Sequence, residues 1–83
     1  MGVTMEHAIK SEKIVVERKQ FFFDLKENDR GRFLKITEDV NGRRDTIIIP
    51  SPGLADFVRI LDEMLEYDEE NEYPASNYVD GNR

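Results

Sequence analysis

The sequence has no cysteine and a single histidine, His7. Without thiols there can be no disulfide, no thiolate site for zinc or an iron-sulfur cluster, and no cysteine nucleophile. His7 stands in a polar N-terminal stretch, and Ser11, Ser51 and Ser76 have no evident base partner, so catalysis is not expected. Long apolar runs are lacking as well. Nothing approaches the roughly 20 residues of a membrane span, or the pattern of basic start, apolar stretch and small-residue cleavage site that marks a signal peptide. The expectation is a cytoplasmic, non-catalytic protein with no cofactor, no small-molecule substrate and no membrane partner.

Length sets the next bound. Eighty-three residues make one domain at most, and a chain this short buries a small fraction of its surface. Domains below about 70 to 80 residues usually need disulfides, a metal or a partner chain. With cysteine absent, association with a second copy is the remedy left.

The net charge of -6 argues against a polyanionic partner until its distribution is read. Between Lys10 and Arg44 ten bases stand against seven acids, whereas from Asp45 onward only Arg59 and Arg83 oppose ten acids. Salt screens exposed charge over about 8 Å, so a ligand arriving at the first half meets a local positive field.

What is present is a run of strand signals. Ser11 to Arg18 has β-branched residues at its centre and leads through Lys19 into a phenylalanine-rich strand. Phe33 to Asp39 forms a third strand, Asn41-Gly42 is a strong hairpin turn, and Arg43 to Ile49 a fourth. Short connections make these an antiparallel meander. Pro50-Ser51-Pro52 stops the sheet and starts a helix, with Ser51 as the expected cap, Pro52 in the first turn and Asp56 favouring the helix dipole. Leu54, Phe57, Val58, Leu61, Met64 and Leu65 follow as one apolar stripe, expected to cover the inward face of the sheet. Ile60 falls off that stripe, a placement that a partner chain would explain. The fold class expected is α+β, a four-stranded antiparallel sheet followed by one C-terminal helix, in an intertwined homodimer. Residues 1–10 are expected to be a flexible lead, 11–66 the folded repeat and 67–83 an acidic disordered tail.

Side-chain parity then sorts the second and third strands. Phe21, Phe23 and Leu25 share one face with Leu34 and Ile36, which reads as the core face. Phe22, Asp24 and Lys26 point the other way, together with Phe33, Lys35 and Thr37. Around the turn Asn28-Asp29-Arg30-Gly31, rings and cations therefore share one surface. Gly31 reads as a turn residue needing positive φ. Lys26 and Arg30 offer cations for phosphate or a guanine edge, Asn28 a donor and an acceptor, and Phe33 a flat surface for an unpaired base. Phe22 is either a second stacking surface or a core or dimer contact, and the group Lys26, Arg30, Arg32 and Lys35 could also be a solvated edge that resists sheet aggregation.

The block from Ser11 to Leu65 resembles one repeat of the Pur family, the purine-rich-element-binding proteins related to Pur-alpha. The most specific stretch is K-Q-F-F-F-D-L-K-E-N-D-R-G-R-F-L-K-I-T-E, Lys19 to Glu38. It is similar to the family pattern of lysine, phenylalanine, aromatic, hydrophobic, aspartate, hydrophobic, lysine and asparagine, followed by a basic residue and Gly-Arg-Phe-Leu-Lys-Ile. The resemblance implies binding of single-stranded DNA or RNA, with preference for guanine-rich, purine-rich sequence, through the exposed face of a curved sheet. It also implies that two repeats intertwine, so that a single-repeat bacterial member would form a homodimer. The family's binding positions fall on Lys26, Asn28, Arg30 and Phe33, and Phe22 and Lys35 share their face. Phe23, where the family often has an aliphatic residue, and the acidic second half depart from the pattern. The alternative reading is a protein-interaction module that docks a partner through the exposed sheet or the acidic tail. That tail is either a solubility segment or an intramolecular competitor for the basic sheet.

Overall fold

Three two-residue turns fold the first half of the chain back and forth on itself. The computed structural model describes residues 7–71. Strands β1 (His7–Val16), β2 (Lys19–Asn28), β3 (Gly31–Val40) and β4 (Arg43–Pro50) lie in chain order in one antiparallel sheet. The helix α1 (Leu54–Glu70) follows a short 3-10 turn at Ser51–Gly53. This is the expected β-β-β-β-α order.

Local chemistry accounts for each reversal. Asn41 and Gly42 both take left-handed φ values, 54° and 88°, as a tight primed hairpin turn requires. Gly31 sits at φ 139°, where a side chain is disfavoured. Glu17, at φ 57°, makes the first turn with Arg18, so β1 stops at Val16. The outer strand β1 carries a register shift between Ala8 and Lys10, a bulge of the kind that roughens a sheet edge. It also begins earlier than the sequence suggests. His7 opens it and places its Nε2 3.3 Å from Glu27 Oε2. Residues 67–70, expected to belong to the acidic tail, instead form the last turn of α1, and the rest of the expected lead, residues 1–6, and of the expected tail, residues 72–83, lie outside the described residues.

Two expectations about the helix need correction. Ser51 does not cap it, for Pro50 and Gly53 occupy the cap positions of the 3-10 turn and of α1, and neither makes a side-chain cap hydrogen bond. The stripe also does not cover the chain's own sheet. Val58 and Leu61 are 66% and 63% exposed, and Phe57, Met64 and Leu65 are exposed too. The 3-10 turn rests on β3, with Gly53 close to Ile49, and from there α1 runs away from the strands. The extents of 58 × 30 × 17 Å and the radius of gyration of 16.2 Å show the result. A compact chain of this size would have a radius of about 12 Å. Periodicity says that a helix must bury one side but not which surface it meets.

The inward face of the sheet is accordingly bare. Phe21, Phe23, Leu25, Leu34 and Ile36 are half-buried, and Ile14, Val16 and Ile47 are exposed. Among the described residues only Ile49 and Thr37, at 4% and 6% exposure, are buried. No described helix is long and apolar enough to cross a membrane.

Candidate nucleic-acid interface

Register places the residues of the outward face in rows across the sheet, because directly paired residues of antiparallel strands project to the same side. The row nearest the β2–β3 turn runs Ala8, Lys26, Phe33 and Pro50. The next runs Ser11, Asp24, Lys35 and Ile48, the third Lys13, Phe22, Thr37 and Thr46, and the last Val15, Gln20, Asp39 and Arg44. Lys26, Phe33, Lys35 and Phe22 therefore share one surface, as parity predicts. Asn28 pairs with Gly31 at its end, and Arg30 stands in the turn between them.

The turn itself is tied by Asn28. Its Oδ1 accepts a hydrogen bond from the Arg30 backbone N–H at 2.9 Å, a short-range loop that asparagine favours. The acceptor end of the amide thus shapes the turn, and strand alternation puts residue 28 on the same face as Lys26.

Arg32 leaves the group in which its charge seemed to place it. It pairs with Glu27, on the inward side, and its Nε donates to Glu27 Oε1 at 3.1 Å. Other rim charges of that side are paired too, Lys19 with Glu38 at 3.1 Å and Lys10 with Glu12 at 3.0 Å. The outward side differs in balance. Lys13, Lys26, Lys35 and Arg44 stand against Asp24 and Asp39, and Asp24 accepts a hydrogen bond from the Ser11 hydroxyl. The alternation of the strands thus concentrates unbalanced positive charge on the side that also bears Phe22, Phe33 and Ile48.

The surface also carries Lys13, Arg44, Thr46 and Ile48, which were not among the expected site residues. Lys13 Nζ lies 5.6 Å and Arg44 Cζ 5.3 Å from the centre of the Phe22 ring. Phe22 is half-buried, and its ring lies between the two cations. Thr37 and Thr46 meet beside it, with their hydroxyl oxygens 3.4 Å apart. Counting back from the Asn41-Gly42 turn would have placed Arg44 opposite Asp39 on this face. Its reach across β3 to Phe22 is a tertiary fact that spacing does not carry.

A sheet face that carries the rings of Phe22 and Phe33, the Asn28 amide at one end and an excess of positive charge suits an unpaired nucleic-acid strand, whose bases can lie on aromatic surfaces. Comparison with known proteins points the same way. Residues 3–81 match the family described as PurA ssDNA and RNA-binding protein. Transcription factor Pur-alpha 1 of Arabidopsis thaliana is 46% identical over 59 residues, covering 71% of this chain and 20% of the plant protein. Transcriptional activator plp-1 of Caenorhabditis elegans is 46% identical over 71 residues, 75% of this chain and 31% of its own length. Human transcriptional activator protein Pur-alpha is 39% identical over 75 residues, 82% of this chain and 23% of the human protein. The chain thus spans between a fifth and a third of these relatives. Its match to the family runs through every strand and the helix: the chain belongs to the PurA family of single-stranded DNA and RNA-binding proteins.

Proposed function

We propose that this chain binds single-stranded DNA or RNA, without chemistry, on the outward face of its sheet, through Lys26, Asn28, Arg30, Phe33, Phe22 and Lys35. The observation that carries the reading is the register pair Lys26 and Phe33, which sets a cation beside a ring on one face, next to the Asn28 turn. Phe33 stacks a base while Lys26 and Arg30 engage phosphate or the N7 and O6 acceptors of guanine, which favours purine-rich strands. Duplex is disfavoured because its bases are already stacked and paired. The relatives are named as a transcription factor and as transcriptional activators, in keeping with binding and not catalysis.

The binding unit is a homodimer. Two surfaces support this, the bare inward face of the sheet and the exposed stripe of α1, each apolar and each too large to leave in water. An open cleft of about 310 Å³ lined by Lys19, Phe21, Ile36, Glu38, Asp45 and Ile47 lies on the inward face, ready to take side chains from a second helix. Burial of a leucine- or phenylalanine-sized side chain contributes about 1.5 to 3 kcal/mol, and the stripe has several. The absence of cysteine fits a reducing, cytoplasmic setting.

The test is fluorescence anisotropy of a labelled guanine-rich single strand at two salt concentrations, with dimerisation followed in parallel by sedimentation. Binding that weakens with salt and exceeds that of the matching duplex supports the proposal. An intact dimer that ignores single strands at low salt would point instead to a protein-interaction module.

A further inference from the structure

β4 is the last strand of the sheet, so one of its two edges has no described strand beside it. Which of its backbone groups point there follows from the hairpin that starts it. Val40 and Arg43 flank the two-residue Asn41-Gly42 turn and pair directly, and residues in that position exchange both of their backbone hydrogen bonds. Bonding then alternates along the strand. Asp45, Ile47 and Ile49 bond to β3 opposite Glu38, Ile36 and Leu34, whereas Arg44, Thr46 and Ile48 turn their N–H and C=O groups away from it. These three are also the residues of β4 whose side chains stand on the outward face.

The two outer strands of the sheet are protected unequally. β1 has the register shift between Ala8 and Lys10 and carries Lys10 and Lys13, devices that keep a sheet edge from pairing. β4 keeps an unbroken register, has no lysine, and runs Thr46-Ile47-Ile48-Ile49 in β-branched residues. Ile47 and Ile48, on opposite faces, are 54% and 53% exposed. An unbroken apolar edge of this kind is a template for another strand.

We infer that β4 pairs edge to edge with β4 of a second copy, antiparallel about a two-fold axis through Thr46, joining the two sheets into one. The inference rests on the homodimer reading above and names an interface in it distinct from the packing of helix on sheet. The register follows from the groups on offer. With Thr46 opposite Thr46 and Arg44 opposite Ile48, each edge N–H of either copy meets an edge C=O of the other. Moving the axis to Ile47 sets Arg44 against Pro50, which has no N–H to return. Moving it to Asp45 sets like charges against each other. A second copy is favoured over a foreign peptide because the strand complements itself in this register. In addition, β4 leads through Ser51–Gly53 straight into α1, so joined edges bring each exposed helix stripe within reach of the other copy's bare inward face. Since the edge groups belong only to outward-facing residues, pairing through them leaves both outward faces on the same side.

The experiment follows amide hydrogen exchange by NMR, with sedimentation, on the full chain at concentrations where it is dimeric. Thr46 and Ile48 should exchange at least about tenfold more slowly than Lys13 and Val15, whose N–H groups stand by the same alternation on the β1 edge. Ile48→Pro removes an edge N–H without touching a bond to β3. It should weaken the dimer at least about tenfold, whereas Val15→Pro, at the same kind of position on β1, should not. Because the chain has no cysteine, Thr46→Cys supplies a single thiol. Mild oxidation should then give a covalent dimer, since the paired Cα atoms lie about 5.5 Å apart, within disulfide range, and Val15→Cys should stay unlinked. An intact dimer in which Thr46 and Ile48 exchange as fast as Val15 overturns the inference. So does an Ile48→Pro dimer of wild-type strength, or a Thr46→Cys dimer that does not cross-link. A wild-type chain that sediments as a monomer at every concentration removes the homodimer reading itself, and is told apart because it is seen before any substitution.

Discussion

Asn28 and Arg30 are joined through a side-chain-to-backbone hydrogen bond of 2.9 Å, so one amide both builds the β2–β3 turn and stands in the candidate site. The two roles can be separated. Asn28→Asp retains the acceptor for the Arg30 N–H but removes the amide donors and adds negative charge. It should keep the melting temperature near wild type while lowering affinity for single strands at least tenfold. Asn28→Ala should lower both, with a stability loss of about 1 kcal/mol from the missing turn bond. Thermal melts alongside anisotropy titrations check this, and wild-type affinity in Asn28→Asp would remove the amide from the site.

Phe33 and Lys26 are neighbours in register but contribute different physics. Phe33→Ala should cost about 1 to 3 kcal/mol of affinity for purine-rich strands, with little change in salt slope. Lys26→Ala should weaken binding across sequences and reduce the slope by about 0.7. Titrations at four salt concentrations distinguish the two effects, and identical slopes for both variants would contradict the assignment.

The exposed α1 stripe predicts that stability is tied to association. The melting temperature of the wild-type chain should rise with protein concentration, as it does when folding and assembly are linked. Leu61→Asp, at a position 63% exposed in the single chain, should abolish the dimer and most of the cooperative melt. Sedimentation and calorimetry over a hundredfold concentration range test this. A melting temperature independent of concentration in the wild type would refute the proposed pairing.

Gly42 offers a stability test remote from the inward face. A Cβ there meets nothing within 4 Å, so Gly42→Ala acts through the backbone φ of 88° alone. The expected loss is about 1 to 2 kcal/mol, measured by urea denaturation.

The sheet was legible because two signals agree. Apolar alternation from Phe21 to Leu25 and from Leu34 to Ile36 specifies the faces, and Asn28-Asp29-Arg30-Gly31 and Asn41-Gly42 specify the register. Together they place Lys26, Phe33, Lys35 and Phe22 on one side. Arg32 shows where grouping by charge fails, since its parity sends it to Glu27 on the other side. The helix shows a different limit. Its 3.6-residue pattern was clear from Leu54 to Leu65, yet the surface it would cover depended on the direction set by Pro50 and the 3-10 turn. The bracketing of Phe22 was illegible for a related reason: Arg44 reaches it from a strand that is not its neighbour in the sheet.

The outward-running helix has a consequence for the protein in a cell. With the pairing proposed above, a newly made copy would display greasy surface on both its sheet and its helix until it met a mate, and during that interval it would be a substrate for proteases and chaperones. If pairing ends the exposure, the yield of working protein should climb more steeply than the rate of synthesis. Poorly expressed copies would then be cleared, and abundant ones would protect one another.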